Sequence, residues 1–289
     1  MLKVLRLGDA YQEPCALLLG GFDGLHLGHL KLLEAAKATQ LPVGITAISG
    51  AKTGGDLFTL EEREYLFERM GIAFVLELPF SEAVKNTSAE EFLRSVFAAV
   101  CVHEVFCGED VRFGRNAIGT PETLKRSANC PVTVLKTVQS GGEKIATSLC
   151  KSALAAGDMQ RLNALLASPY FVQGTVEHGR QVGRTYGFPT LNLSVSTEKL
   201  LPKDGVYGGY AETPAGRYPT IINIGARPTF GVEEKKVEAY LKGFSGDLYG
   251  ATVRIYPTQF LRRIQKFDSE EELKNQLKKD IKRLQSNEL

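Results

Sequence analysis

The sequence predicts two domains of different class: an α/β domain over residues 1–167 and a mainly β domain over residues 168–289. Three observations predict this. Up to Ala167, short apolar runs alternate with helical patterns. Beyond it, strand-like segments follow one another across Gly, Pro and charged turns. The chain has 289 residues, which is long for one core and comfortable for two.

In the first domain, CALLLG (15–20) reads as a buried strand and LGHLKLLEAAKA (27–38) as a helix. VGITAI (43–48), FVLEL (74–78), EVFCG (104–108) and VTVL (132–135) continue the strand series. Thr59 with Glu62, and Ser88 with Glu91, have the spacing of capping boxes that open helices. Strands that alternate with helices predict a parallel sheet covered on both faces.

The second domain begins at Ala167-Ser168-Pro169. YFVQGTV, GVYGGYAE, RYPTIINIG, KVEAYLKGF and ATVRIYPTQF are closely spaced strand candidates, as in an antiparallel barrel or sandwich. A helix ends the chain. Ser269 caps it, Glu272 closes the box, and Leu273, Leu277, Ile281 and Leu284 form an apolar stripe suited to core packing.

Composition removes several function classes. Hydrophobic residues make up 43% and charged residues 24%, an ordinary globular balance. Thirty-five basic residues oppose 33 acidic ones, and nothing gathers the basic ones into a block, so no nucleic acid is expected as a partner. The cluster Arg262, Arg263 and Lys266 reads as a solvated face. No run approaches the roughly 18 apolar residues of a membrane span, and the opening residues lack a signal-peptide core. Five scattered cysteines without CxxC argue against a disulfide framework and fit a cytoplasmic protein.

Two stretches carry chemistry. In the first, GGFDGLHLGH (20–29), glycines follow a strand and run into a helix. Such a turn lets a phosphate approach the free N–H groups and positive end of the helix. His26 and His29 can bond phosphate oxygens from one side. Two plainer readings remain: a metal-binding pair, although only His103 and His178 are left to complete it, and a glycine turn with incidental histidines.

In the second stretch, GRTYGFPTLNL (183–193), Pro189 favours extended backbone, and Thr190 and Asn192 then share one face. A hydroxyl and an amide oxygen suit Mg²⁺, which takes its other ligands from water and phosphates. The plainer reading is a turn with hydrogen-bonding side chains. Transfer of a phosphoryl group to an alcohol also needs a carboxylate. Glu238, between Val237 and Ala239, points to the face opposite them. On a cleft that carboxylate is a base; in water it is an ordinary strand residue.

The text GGFDGLHLGHLKLL, with VFCGEDVRFGRNAIG (105–119), resembles the adenylyltransferase half of the bacterial bifunctional riboflavin kinase/FAD synthetase family. YFVQGTVEHGRQVGRTYGFPTLNL (170–193), GVYGGYAE (205–212), INIGARPTFG (222–231), VEAYLKGFSGDLYG (237–250) and FLRRIQKFDSEEEL (260–273) resemble the kinase half, in order. The resemblance implies a Rossmann-like nucleotidyltransferase domain and a six-stranded antiparallel β-barrel with a terminal helix. It implies that His26 and His29 contact ATP phosphates, with Gly21, Phe22, Asp23 and Gly24 shaping the site and Lys151 adding charge. In the barrel, Thr190 and Asn192 would meet Mg²⁺ and ATP phosphates, Gly183 and Arg184 would belong to a loop over them, and Glu238 would be the catalytic base. Riboflavin, FMN, FAD and ATP are the implied small-molecule partners.

The chain departs from the family in places. ITAISGAKTGG (45–55) stands where a TFxPHP-like segment is usual, and Ala146 and Lys151 replace a Ser and an Arg of an ISSTxxR stretch. Ile264 stands where an acidic residue is common, and INIGARPTFG carries no assigned chemistry. Two rival readings follow: a kinase whose first domain has lost adenylyl transfer, and a flavin-binding regulator without turnover.

Overall fold

A computed structural model describes residues 1–6, 8–50, 55–178, 190–226, 235–267 and 269–285. Contacts divide the chain into two compact units, Met1–Leu149 and Cys150–Leu289.

The first unit holds a six-stranded sheet. Its strands are β1 (Lys3–Leu5), β2 (Tyr11–Leu18), β3 (Val43–Ser49), β4 (Phe74–Pro79), β5 (Val100–Gly108) and β6 (Val132–Leu135). They run in the order β1-β4-β3-β2-β5-β6, and every pairing is parallel. The short edge strand β1 escapes the apolar-run criterion because only Leu5 of its three residues is buried. At the sheet centre, Cys15 to Leu18 are fully covered. Gly44 leaves the space that the Phe74 ring fills: a Cβ there would lie 2.0 Å from the ring.

Helices α1 (Leu27–Lys37), α2 (Leu60–Arg69), α3 (Glu82–Asn86), α4 (Ala89–Ala99) and α5 (Pro121–Ser127) connect the strands, and a small hairpin, β7 (Gln139–Ser140) with β8 (Glu143–Lys144), follows. Both capping boxes form. Thr59 accepts from Glu62 N at 3.3 Å while the Glu62 carboxylate accepts from Thr59 N at 2.9 Å; Ser88 and Glu91 repeat the pattern at 3.2 and 3.1 Å. Strand order reverses between β2 and β5. Ligands of open parallel sheets bind beyond the carboxyl ends of strands at such a point, which here is the Gly20–His29 turn and the segment after Gly108.

The second unit is a closed antiparallel barrel and not a sandwich. Its strands are β9 (Val172–Glu177), β10 (Thr190–Ser194), β11 (Gly205–Thr213), β12 (Gly216–Ala226), β13 (Lys235–Leu241) and β14 (Thr252–Arg262). The order around it is β10-β13-β12-β11-β14-β9. Leu193, Ile222, Ile224, Val237 and Ala239 are buried on one face of their strands, the barrel interior. Helices α6 (Thr147–Ala156) and α7 (Met159–Leu165) precede the barrel, and α8 (Glu270–Gln285) ends it. Ser269 caps α8 by accepting from Glu272 N. Leu284 packs with Val206 and Ile221 on the outer face, joined by Ile281, Tyr240 and Leu261. Among the described residues no helix is long and apolar enough to cross a membrane.

Arg262 does not lie on a solvated face. Its guanidinium grips Asp280 of α8 through Nε at 3.0 Å and Nη2 at 2.9 Å, and Gln276 donates to the same carboxylate at 2.9 Å. The Asp280 side chain is 0% exposed and Arg262 13%. Removing one partner of a buried pair strands the other charge, at a cost of about 3–5 kcal/mol. We therefore expect Asp280→Ala to lower the urea-unfolding free energy by about 3 kcal/mol. Arg262→Met with Asp280→Leu should recover most of it; a double variant as unstable as the single one would remove the ion pair as the cause.

Candidate functional sites

The turn after β2 is built tightly. Phe22 adopts a positive φ of 37°, and its ring is buried against His29, with centroids 4.6 Å apart. Gly24 has no room for a side chain, because a Cβ would meet Leu57 at 2.9 Å. Asp23 is buried behind the turn, where its Oδ1 accepts from Leu57 N at 2.9 Å. Asp23 and Gly24 thus shape the turn from behind, while Gly21, Phe22, His26 and His29 line a cleft of about 270 Å³.

Backbone bonds fix the tautomers of both imidazoles. His26 is the N-cap of α1, and its Nδ1 accepts from His29 N at 3.4 Å, so Nε2 carries its proton. His29 Nδ1 lies 2.7 Å from the Gly24 carbonyl, which can only accept, so there the proton is on Nδ1. The rings stack with centroids 3.6 Å apart. Burial pushes the His26 pKa down to about 4; the Lys144 cation pushes it the same way and Asp110 opposes. His26 is therefore neutral near pH 7 and presents one N–H donor.

Lys144, at the end of β8, binds Asp110 beside His26. Burial of Asp110 opposes its ionisation, but the bond to Lys144 outweighs this and its pKa lies below the ordinary value. Arg112, Lys136 and Lys144 line the cleft with Ala146 and Thr147. Lys151 lies one turn into α6, in the second unit. The cations at the cleft thus come from two loops and a hairpin, elements with no periodic sequence signal. Among the described residues no three His, Cys, Asp or Glu side chains gather as a metal cluster, so the HxxH pair acquires no further ligands there.

A second cavity of about 510 Å³ shares Gly20, Gly21, Val111 and Arg112 with this cleft. Its walls are mainly apolar, including Leu78, Phe80, Phe92 and Phe113.

In the barrel, register brings the other candidates together. Asn192 of β10 stands opposite Glu238 of β13 on one side and Glu177 of β9 on the other. Glu238 stands in turn opposite Asn223 of β12. Paired residues of an antiparallel ladder project from the same face. Val237 and Ala239 are buried in the interior, so Glu238, Asn192 and Thr190 belong to the outer face, where all three are half-buried. Close by, His178 stacks on Tyr249 at 3.7 Å. Gly183 and Arg184 lie outside the described residues.

A family model described as FAD synthetase matches residues 8–149, and one described as riboflavin kinase matches residues 166–287. The bifunctional riboflavin kinase/FMN adenylyltransferase of Bacillus subtilis is 32% identical, over 93% of this chain and 91% of its own length. The protein of that description from Escherichia coli K12 is 30% identical, over 95% and 93%. A solved structure described as a macrolide-efflux protein from Streptococcus pneumoniae superposes with a TM-score of 0.87 at 28% identity, covering 96% of this chain and 97% of that one.

The His26 environment has a stability consequence. The unfolded chain takes up a proton near pH 6.5, whereas folded His26 resists it until about pH 4. The unfolded state binds more protons in that window, so stability falls as pH drops through it, by up to about 3 kcal/mol. Urea unfolding between pH 7 and 4.5 should show this loss, and His26→Asn, which keeps an N-cap, should flatten it. Parallel profiles for the two proteins would remove His26 as the source.

Proposed function

The chain belongs to the bifunctional riboflavin kinase/FMN adenylyltransferase family, and on that premise we propose that it converts riboflavin to FMN and FMN to FAD, using ATP in both steps. The kinase step belongs to residues 168–289 and adenylyl transfer to residues 1–167. The register that sets Asn192 beside Glu238 carries the reading.

In the barrel, Glu238 accepts the proton of the riboflavin 5′-hydroxyl as the hydroxyl oxygen bonds to the γ-phosphorus of ATP and the bond from that phosphorus to the bridging oxygen of ADP breaks, releasing ADP. Thr190 and Asn192 offer a hydroxyl and an amide oxygen two residues apart on that face. With no carboxylate-rich cluster among the described residues, this sparse set fits Mg²⁺, which binds few protein oxygens and takes the rest from phosphates and water. When bound, the ion neutralises charge on the phosphates; Thr190 and Asn192 would hold it.

In the first unit, the FMN phosphate is already ionised at neutral pH and needs no base to attack the α-phosphorus. His26 Nε2–H donates to a phosphate oxygen throughout the neutral range, and the His29 ring, held through Nδ1–H by the Gly24 carbonyl, stacks against His26 and keeps it in place. Lys144, Lys136 and Arg112 supply positive charge as pyrophosphate leaves. The apolar cavity that shares Gly21 and Arg112 with the cleft suits a flavin ring. The five free cysteines fit a reducing cytoplasm.

One observation favours a second reading, a kinase without adenylyl transfer: Ala146 lines the cleft where the family pattern has a Ser. Product analysis separates the two. FMN from riboflavin with ATP and Mg²⁺, and FAD from FMN with ATP and Mg²⁺, support both activities; a failed second reaction leaves the kinase alone.

Two substitutions divide the activities. Glu238→Gln should slow FMN formation by about 10²–10⁴-fold, the usual worth of a general base, and spare FAD formation. His29→Ala should do the reverse. Equal loss of both activities in either variant would point to misfolding.

A further inference from the structure

The stretch INIGARPTFG contributes Asn223 to β12, and this residue has no role in the chemistry above. It stands directly opposite Glu238 on one side and Val206 on the other. Its side chain therefore shares the outer face with the proposed base, with Cβ atoms about 5 Å apart. Its Oδ1 is buried and has no hydrogen-bond partner among the described residues. Leaving a buried acceptor unpaired costs about 1–3 kcal/mol. A carboxylate at Glu238 has no proton to give it, and the Val206 side chain has no donor at all. An acceptor held at that cost beside a base implies a donor that arrives with a ligand.

The required donor has a definite chemistry. A polyol that presents its terminal hydroxyl to Glu238 carries secondary hydroxyls one or two carbons back. One of these can reach the neighbouring strand. Beyond Asn223 the row is closed off: Val206 is buried with Ile221 under Leu284 of α8. Asn223 thus stands between the proposed base and the helix-covered part of the barrel, one strand from where the terminal hydroxyl is held. The ribityl chain of riboflavin fits this arrangement.

We propose that Asn223 is a further substrate-contacting residue of the kinase. Its Oδ1 accepts a hydrogen bond from a secondary ribityl hydroxyl and so sets the primary hydroxyl at Glu238. The inference rests on Glu238 being the base.

The test uses the full chain. Asn223→Leu removes both polar atoms at similar size and should leave the melting temperature unchanged or higher. The KM for riboflavin should rise at least tenfold, with the KM for ATP and the rate of FMN adenylylation within twofold. Lumiflavin, which keeps the ring system and lacks the ribityl chain, should inhibit the kinase equally in wild type and variant. Asn223→Thr restores a hydroxyl acceptor in a strand-compatible side chain and should recover part of the riboflavin affinity; it also serves if the Leu variant folds poorly. An unchanged riboflavin KM in both variants would overturn the proposal, as would an equal loss of lumiflavin inhibition, which would mean damaged packing. Glu238→Gln is run in parallel. If it keeps full turnover, the base assignment fails by itself, while the contrast between riboflavin and lumiflavin still reads the Asn223 contact.

Discussion

The register of the closed barrel is the constraint on which the kinase half depends. One row of paired residues runs Glu177, Asn192, Glu238, Asn223, Val206, Arg262, across six strands. Asn192, Glu238 and the orphaned amide of Asn223 are consecutive members of it, and Val206 separates them from the Arg262 clamp on α8. Because side chains alternate with period two, a slip of one residue in β13 would turn Glu238 into the interior and Val237 out of it. The buried faces of Leu193, Val237 and Ile224 forbid that slip. Hydrophobic packing inside the barrel therefore sets the polar chemistry outside it. The row ends at Arg262, whose grip on Asp280 holds α8 beside the same face. A charge pair in a low-dielectric setting is weak evidence of stability, because its desolvation opposes its attraction. Its geometry, two nitrogens on one carboxylate, fixes where the helix lies.

The first unit solves a related problem by other means. There the chemistry sits at the end of a strand and the start of a helix, and order comes from backbone groups. His29 N–H holds His26 Nδ1, and the Gly24 carbonyl holds His29 Nδ1, so each ring is turned by the turn itself. The positive φ of Phe22, costly for a non-glycine residue, is held by burial of its ring. Opposite tautomers follow: one ring is fixed as an Nε2–H donor and its neighbour shows a bare Nε2. Two identical residue types acquire different roles through the hydrogen bonds they make with the main chain.

What the sequence showed divides along physical lines. Periodicity located five of the six strands of the parallel sheet, both of its capping boxes and the terminal helix, because burial and capping leave local signatures. The face of Glu238 also followed, from its buried neighbours Val237 and Ala239. Whether that face was cleft or solvent depended on strands far apart in the chain, and no local pattern carries that. The Arg262–Asp280 pair joins residues 18 apart on a strand and a helix, and from composition alone the arginine looked solvated. Lys144 sits on a two-residue strand, too short for any period, and reaches the cleft only because the hairpin folds back toward Asp110. Asn223 went unassigned because an orphaned acceptor is visible only when every possible donor has a position.

The departures from the family pattern take on a different weight in this light. Ala146 and Lys151 stand where a Ser and an Arg are usual, and read along the chain they subtract a hydroxyl and a guanidinium. In the folded unit the cleft has Thr147 beside Ala146, and Arg112, Lys136 and Lys144 around it. A phosphate is stabilised by the field at its oxygens, and that field depends on which cations reach it, whatever their order in the sequence. Lys144 is also tied to Asp110, which offsets part of its charge and leaves its position defined. A lysine held this way gives up the bidentate fork of an arginine and keeps a fixed point charge next to the His26 donor. The adenylyl-transfer half is thus better judged by the residues around its cleft than by the two that its motif lacks.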